Sequence, residues 1–456
     1  MNDETAGPGP DPEPEDPMAK WFSQFNTPGG QFDLQRLLAQ VQQAMSSMSG
    51  RTDSSGIDWA QTTSAARHVV ASLGPDPAPS KTDQRQVAEA ARLSSLWLDQ
   101  NVAFDQLTHQ PAAWSRAEWV EQTTKSWRTV AEPIATRIAD ALANSFGRQF
   151  EAAEGTPPEL AQFSAMFAPM LRASAGSMYA MQLAKAIGKI ASEIVSGSEI
   201  GLQLLPQAQI VLLPANLAKF SEGLGVPDDD VRLYLTVREE ARQRLFAHVS
   251  WLGPHVLSLL EQYARQISID VGALTQAIDV EDMGSLTSQR LVELSEQLQG
   301  KLFSPSQTPE QVEVLGRLET LLALVEGWVD EATANTVAIW MPHAAESLAE
   351  AVRRRRATAN PSQELFSTLV GLDIRPRRVR DAANMWAVLT RARGVTGRDA
   401  VWSHPDLMPT AEDLDDPLRM VEAGRQEPAA DEMDLALAQL LEQAEQERRD
   451  ESDEGR

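Results

Sequence analysis

The chain holds 456 residues, with 40 Lys and Arg against 65 Asp and Glu, a formal net charge of -25, and no cysteine. Such an acid excess argues against a general nucleic-acid binder, whose footprint has to be basic. Without cysteine, disulfide scaffolds, thiol nucleophiles, iron–sulfur clusters and cysteine zinc sites are excluded, so any metal must be held by histidine and carboxylate.

Residues 1 to 18 contain six acids and no base, and residues 427 to 456 contain eleven acids against three arginines. Segments of this kind cannot bury enough apolar surface to offset their ordering entropy. Residues 1 to 54 are therefore expected to be a disordered acidic arm with one short amphipathic helix on Leu34, Leu38, Val41 and Met45. Residues 426 to 456 form an acidic tail, with Met433, Leu437, Leu440 and Leu441 on one helical face. Between them, residues 55 to 425 read as a mostly α, single large domain with little β-sheet.

Helical windows are expected at about 58 to 73, 81 to 101, 115 to 146, 159 to 173 and 175 to 196. The one strand candidate is the apolar run 209 to 213, ended by Pro214. Asn216 is expected to cap a short helix, after which Gly223, Gly225 and Pro227 supply turn chemistry. Asp228, Asp229 and Asp230 then suit the positive end of a helix over 228 to 250. Further helices are expected at about 254 to 265, 287 to 300, 309 to 336, 343 to 356, 361 to 370 and 377 to 391.

No apolar run reaches the ~18 residues of a membrane span; the most apolar stretch, Met178 to Val195, is interrupted by Lys185, Lys189 and Glu193. The first residues lack a basic n-region and an apolar h-region, so a cytoplasmic protein is expected. Neither G-x-S-x-G nor G-x-x-x-x-G-K-[ST] occurs, and Gly223-Leu224-Gly225 lacks the third glycine of a dinucleotide fingerprint. The six histidines, His68, His109, His248, His255, His343 and His404, include no pair at i and i+4.

On a wheel of about 100° per residue, Val231, Tyr234, Leu235, Ala241, Leu245 and Val249 share one face of the 228 to 250 helix. Arg238 and Arg242 fall in its middle, with Glu239 on the flank. Two guanidinium groups on a buried stripe need carboxylates opposite them. The competing reading is that their stems snorkel at the core rim and their heads reach water. Candidate partners lie on the helix that opens with Thr308-Pro309-Glu310-Gln311, which is apolar nearly all round and hence central. There Glu319, Glu326 and Asp330 share one stripe, beside Trp328 as a core aromatic. Structural arginines such as Arg353 to Arg356 are the alternative partners of these acids.

Arg238-Glu239-Glu240-Ala241-Arg242 has the frame of H-E-x-x-H with arginine at both histidine positions, and Glu326-Gly327-Trp328-Val329-Asp330 has the frame of E-x-x-x-D. With the segments LLPANLAKFSEGLGVPDDDVRLYLTVREEARQRLFAHVSWLGPHV, ETLLALVEGWVD, RRRRAT, LVGLDIRPRR and VWSHPDLMPTAEDLDDP, about residues 110 to 420 resemble the bacterial zincin-like metallopeptidase family. Its members are labelled hydrolases or zinc-dependent metalloproteases. The resemblance implies a zincin-like domain over residues 55 to 425. It also implies zinc, with positions 238 and 242 as ligand histidines, Glu239 as general base, Glu326 as third ligand and Asp330 as the residue orienting a ligand. Only the three carboxylates are kept in this chain. Arginine has no lone pair to donate, so the expectation is a metal-free core in which two guanidinium charges stand in for the dication. A rescued metal site would need His248 or His255; otherwise these are packing residues, and His343 and His404 are placed still less.

Arg353, Arg354, Arg355, Arg356, Arg375, Arg377, Arg378 and Arg380 face only Glu364 and Asp373 over residues 353 to 380, a local charge of +6. Three readings stand: an anionic ligand or phosphate site, pairing within the chain including its acidic tail, and a solvated helix face. Two function classes follow. An active peptidase requires bound metal, chelator sensitivity and Glu239; a non-catalytic scaffold or binding protein uses the former cleft and the arginine block to hold a peptide or protein partner, with no membrane or nucleic acid involved.

Overall fold

A computed structural model describes residues 56–151, 158–267, 308–358 and 378–423. The acidic arm and tail, the expected helices at 287 to 300 and 361 to 370, and Arg375 and Arg377 lie outside the described residues.

The described chain is helical almost throughout. Helix α1 (Trp59–Ser72) starts where the Asp58 carboxylate accepts from the Gln61 amide, and α2 (Lys81–Leu98) starts at a capping box of Ser80 and Asp83. These caps satisfy amide groups that have no partner inside the helix. Two long helices follow, α3 (Arg116–Glu151) and α4 (Pro158–Ala191). The second replaces the two helices expected over 159 to 196. Its Gly176 costs about 1 kcal/mol of helix propensity, yet it lies on the side where the backbone of Gly56 comes in: a Cβ at Gly56 would stand 3.4 Å from the Gly176 Cα. Close packing of α4 on α1 and α3 overrides the local break signal.

The expected strand contracts to β2 (Val211–Leu212), which pairs in parallel with β1 (Ala112–Ala113), Ala112 opposite Val211 and Ala113 opposite Leu212. Helix α5 (Pro214–Ser221) starts at once, with Leu213 as N-cap and Pro214 in the first turn. Asn216 is therefore inside the helix and does not cap it. Its buried amide instead donates to the Ala191 and Ile194 carbonyls, and its oxygen accepts from Arg116 Nε.

Helix α6 (Asp228–His248) opens on Asp228, Asp229 and Asp230, as the sequence predicts. After α7 (Leu252–Arg265) comes α8 (Pro309–Trp340), whose N-terminus is the Thr308–Gln311 capping box. Helix α8 is central: it packs against α2, α6, α7 and α10 (Val379–Asp399), and most side chains from Leu318 to Thr333 are buried. Helix α9 (Ala345–Thr358), two 3-10 turns at Ala400–Ser403 and Pro405–Leu407, and short helices α11 (Ala411–Asp415) and α12 (Pro417–Ala423) complete the chain. A single hydrophobic core runs from Ile57 to Val421. Among the described residues, no helix is long and apolar enough to cross a membrane.

Two features of this packing place the site. Gly327 lets α8 and α10 touch through their backbones, since a Cβ there would lie 2.6 Å from Ala382 Cβ and 2.7 Å from the Ala383 amide. The neighbouring Glu326 carboxylate meets the arginines of α6. The loop after α4 is held against β2 by the antiparallel bridge of Ser196 with Leu212. Gly197 is needed there, because its Cβ would come within 2.8 Å of Val211 Cβ. The same register aims Ser198 at α6.

Candidate functional site

Every side chain from Tyr234 to Phe246 on α6 is buried, although six of the thirteen are Arg, Glu or Gln. Burying a charge costs several kcal/mol unless it is paired and hydrogen-bonded, so this helix is possible only because its neighbours supply partners on every side.

On the face toward α8, Arg238 Nη1 donates to Asp330 Oδ1 at 2.5 Å and Nη2 lies 3.3 Å from Glu326 Oε2. One turn on, Arg242 Nε donates to Glu326 Oε1 at 2.9 Å, and its Nη1 is 3.3 Å from Glu239 Oε2. Arg356 comes in from α9 and closes on both Asp330 oxygens, at 2.8 and 3.1 Å. Three guanidinium groups thus face three carboxylates, and the formal charges cancel. The arginine heads do not reach water: Arg238 and Arg242 retain 7 % and 2 % of their side-chain exposure. That replaces the snorkelling reading with the paired one.

Glu239 has no exposed surface. Its oxygens accept from the Ser198 amide at 3.2 Å, from Ser198 Oγ at 2.8 Å, and from Arg242 and Gln243. Burial raises its pKa above the ordinary glutamate value, while Arg242 and Ser198 act in the opposite sense. For Asp330 the balance is reversed. Burial opposes its charge, but Arg238 and Arg356 outweigh burial and hold the carboxyl well below the usual range. Arg238 is likewise fixed in its charged form: burial weakens it, and Asp330, Tyr234 and Glu326 more than compensate.

Other expected residues go elsewhere. Glu319 lines a separate cleft with Arg317. His248 stacks on Phe104 at 5.6 Å and its Nδ1 lies 2.9 Å from the Arg244 carbonyl, whereas His255 stands edge-on to Trp251. Of the basic block, Arg353 pairs with Glu350 in solvent, Arg355 bonds Glu199 at 2.7 Å and the Glu193 carbonyl, and Arg356 joins the cluster. Arg378 holds Asp381, Asp415 and the Ala411 carbonyl; Arg354 and Arg380 are exposed.

Two more buried charge sets escaped sequence reading. Arg244, on the opposite side of α6, pairs with Glu240 at 2.6 Å and Asp99 at 2.8 Å. Arg398 pairs with Glu331 at 2.5 Å and Asp399 at 2.7 Å, and Asp399 also accepts from Trp328 Nε1. The available signal was the i,i+4 spacing of Glu240 and Arg244, which also suits a solvated face.

A model of the family described as "Zincin-like metallopeptidase" matches residues 57–421, nearly the whole described region. The chain belongs to this family. Among solved structures, the zincin-like chain is similar to one called "a putative hydrolase with a novel fold", from Chloroflexus aurantiacus. The TM-score is 0.55 at 19 % identity, over 81 % of this chain and 99 % of that one, which establishes a shared fold. Among curated proteins, none matches.

Zinc, which the family implies, takes N, S or O donors in tetrahedral arrangement. At Arg238 and Arg242, where the resemblance expects ligand histidines, this chain offers guanidinium groups, which have no lone pair to give, and Glu326 and Asp330 already accept from them. Among the described residues, no three His, Asp or Glu side chains form a group able to hold a metal ion. The donor set of this cluster does not fit zinc.

Proposed function

We propose that this zincin-like protein has exchanged the zinc of its family for fixed arginine charge and works by binding a peptide or protein partner rather than by zinc-dependent hydrolysis. The observation that carries the reading is the convergence of Arg238 and Arg242 on Glu326, the residue that the resemblance makes the third ligand. A second observation supports it. A general base has to lie within hydrogen-bond reach of the proton it removes, directly or through one water. Glu239 is sealed from solvent and already accepts from Ser198, Arg242 and Gln243. In the absence of catalysis, the exposed Arg354 of α9 is a candidate contact for an acidic segment of the partner.

The deciding experiment is metal analysis by mass spectrometry on untagged protein, before and after incubation with zinc and desalting. The reading requires no retained metal. Near-stoichiometric zinc would overturn it and call for a ligand set including His248 or His255. Glu239→Gln supplies an independent arm, because partner binding should survive it.

A further inference from the structure

On another side of α8 lies a cleft of about 680 Å³, formed with the start of α7 and the 405–411 segment. That volume is in the range of small-molecule sites. Leu321, Leu324 and Met408 give it an apolar lining, with Trp251 and His255 from α7. Trp251 is fixed, since its Nε1 donates to the Trp402 carbonyl at 2.8 Å and its ring stacks on Trp402. The remaining lining groups include charges of both signs. Arg378 is taken up by Asp381, Asp415 and the Ala411 carbonyl, and Asp406 lies 3.4 Å from His404. Glu313 and Glu319 belong to the same helix as Arg317, an exposed residue that also lines the cleft.

We propose that this cleft binds a small amphipathic monocarboxylate, its apolar body on Leu321, Leu324 and Met408 and its carboxylate between Arg317 and His255. One guanidinium and one imidazole match a single negative charge, and because Glu313, Glu319 and Asp406 repel every anion in proportion to its charge, the lining favours one negative charge over two. Burial, and then the positive charge of Arg317, hold His255 below its ordinary pKa. A carboxylate placed between the two would relieve that repulsion, so binding takes up a proton at His255 and tightens as pH falls. The site shares no residue with the Arg238–Glu326 cluster; its one link to the zinc question is His255, a member of the alternative ligand set.

The test uses phenylacetate and full-length protein labelled at histidine, followed by NMR of the imidazole resonances, with His255→Gln to assign the signal. Phenylacetate should shift the His255 signal saturably and raise its pKa, and its affinity should fall by up to about tenfold per pH unit as pH rises through that titration. Arg317→Ala, an exposed position whose loss leaves the core intact, should weaken binding at least ~10-fold, and Arg317→Lys should retain most of it. The uncharged 2-phenylethanol should bind at least ~10-fold more weakly than phenylacetate. A His255 signal that does not respond, an Arg317→Ala affinity equal to wild type, or equal binding of the alcohol would each overturn the proposal.

Discussion

Arg242 closes on Glu326 with both Nε and Nη2, each 2.9 Å from the same carboxylate oxygen. This contact crosses from α6 to α8, and with Arg238 and Arg356 it ties three helices through charge. Such a pair is worth little relative to well-packed hydrophobic residues, because desolvation consumes the Coulombic gain. Its dependence on intact partners is nonetheless steep.

Truncating one partner is therefore expected to be severe. Arg238→Ala should destabilise the protein by about 3–5 kcal/mol, read from urea unfolding, because Asp330 and Glu326 keep their charges and lose a donor. Combining it with Asp330→Ala should recover part of the loss. A single-variant effect within error of zero would mean that the cluster is not a buried network.

A histidine frame can be built at the cluster. In Arg238→His with Arg242→His, the sequence reads H-E-x-x-H opposite Glu326, and two imidazoles one turn apart supply two zinc donors from one face. This double variant should retain near-stoichiometric zinc after desalting where the parent retains none. Failure of a folded double variant to hold zinc would show that the cluster differs from a metal site by more than its two arginines.

The two acids at the ends of the cluster predict opposite responses to acid. The depressed pKa of Asp330 contributes stability that is present above its unfolded value, about 3.9, and is lost as pH falls below it. The raised pKa of Glu239 has the reverse sign: the folded state binds its proton more readily, so this term weakens the fold as pH rises above the glutamate range, about 4.3. Asp330→Asn should therefore flatten the acid limb of the stability curve, and Glu239→Gln should make it steeper on the way up to neutrality. Parallel curves for wild type and Asp330→Asn would contradict the assignment.

Gly327 is a test of packing alone. A methyl group there meets Ala382 Cβ at 2.6 Å and the α10 backbone at 2.7 Å. Overpacking of this kind costs typically ~1–3 kcal/mol and more when backbone must move. Gly327→Ala should lower the thermal midpoint by several degrees, on the order of 2–4 °C per kcal/mol, whereas the same change at Gly316, inside the same helix and where a Cβ meets nothing within 4 Å, should stabilise by about 0.5–1 kcal/mol through helix propensity alone.

Much of this arrangement is legible in the sequence because it follows from local rules. The Thr308–Gln311 box, the three aspartates opening α6 and the all-round apolar character of α8 each act within one helix, and each appears where expected. The need for carboxylates opposite Arg238 and Arg242 was also readable, since an amphipathic face centred on arginine is costly without them. What escaped depends on pairs far apart in the chain. Wheel analysis gave α6 one buried face, whereas Arg244 and Glu240 are buried on another because α2 covers them, with Asp99 and Ser95 as partners. Arg398 and Asp399 close a helix beside Glu331, 67 positions earlier; nothing in their immediate neighbours distinguishes them from a surface turn. The strand shortened for a similar reason. A strand needs a partner of matching length, and β1 offers two residues.

The register that sets Ser198 against α6 makes its backbone amide a sensor. It sits on a loop, where amide protons ordinarily exchange with solvent through small local openings. This one donates to a carboxylate with no exposed surface, while the next residue, Glu199, is clamped from outside by Arg355. Deuterium uptake at Ser198 should then be slow, track the separation of α6 from this loop, and accelerate when Arg355 is removed, although that arginine never touches the amide.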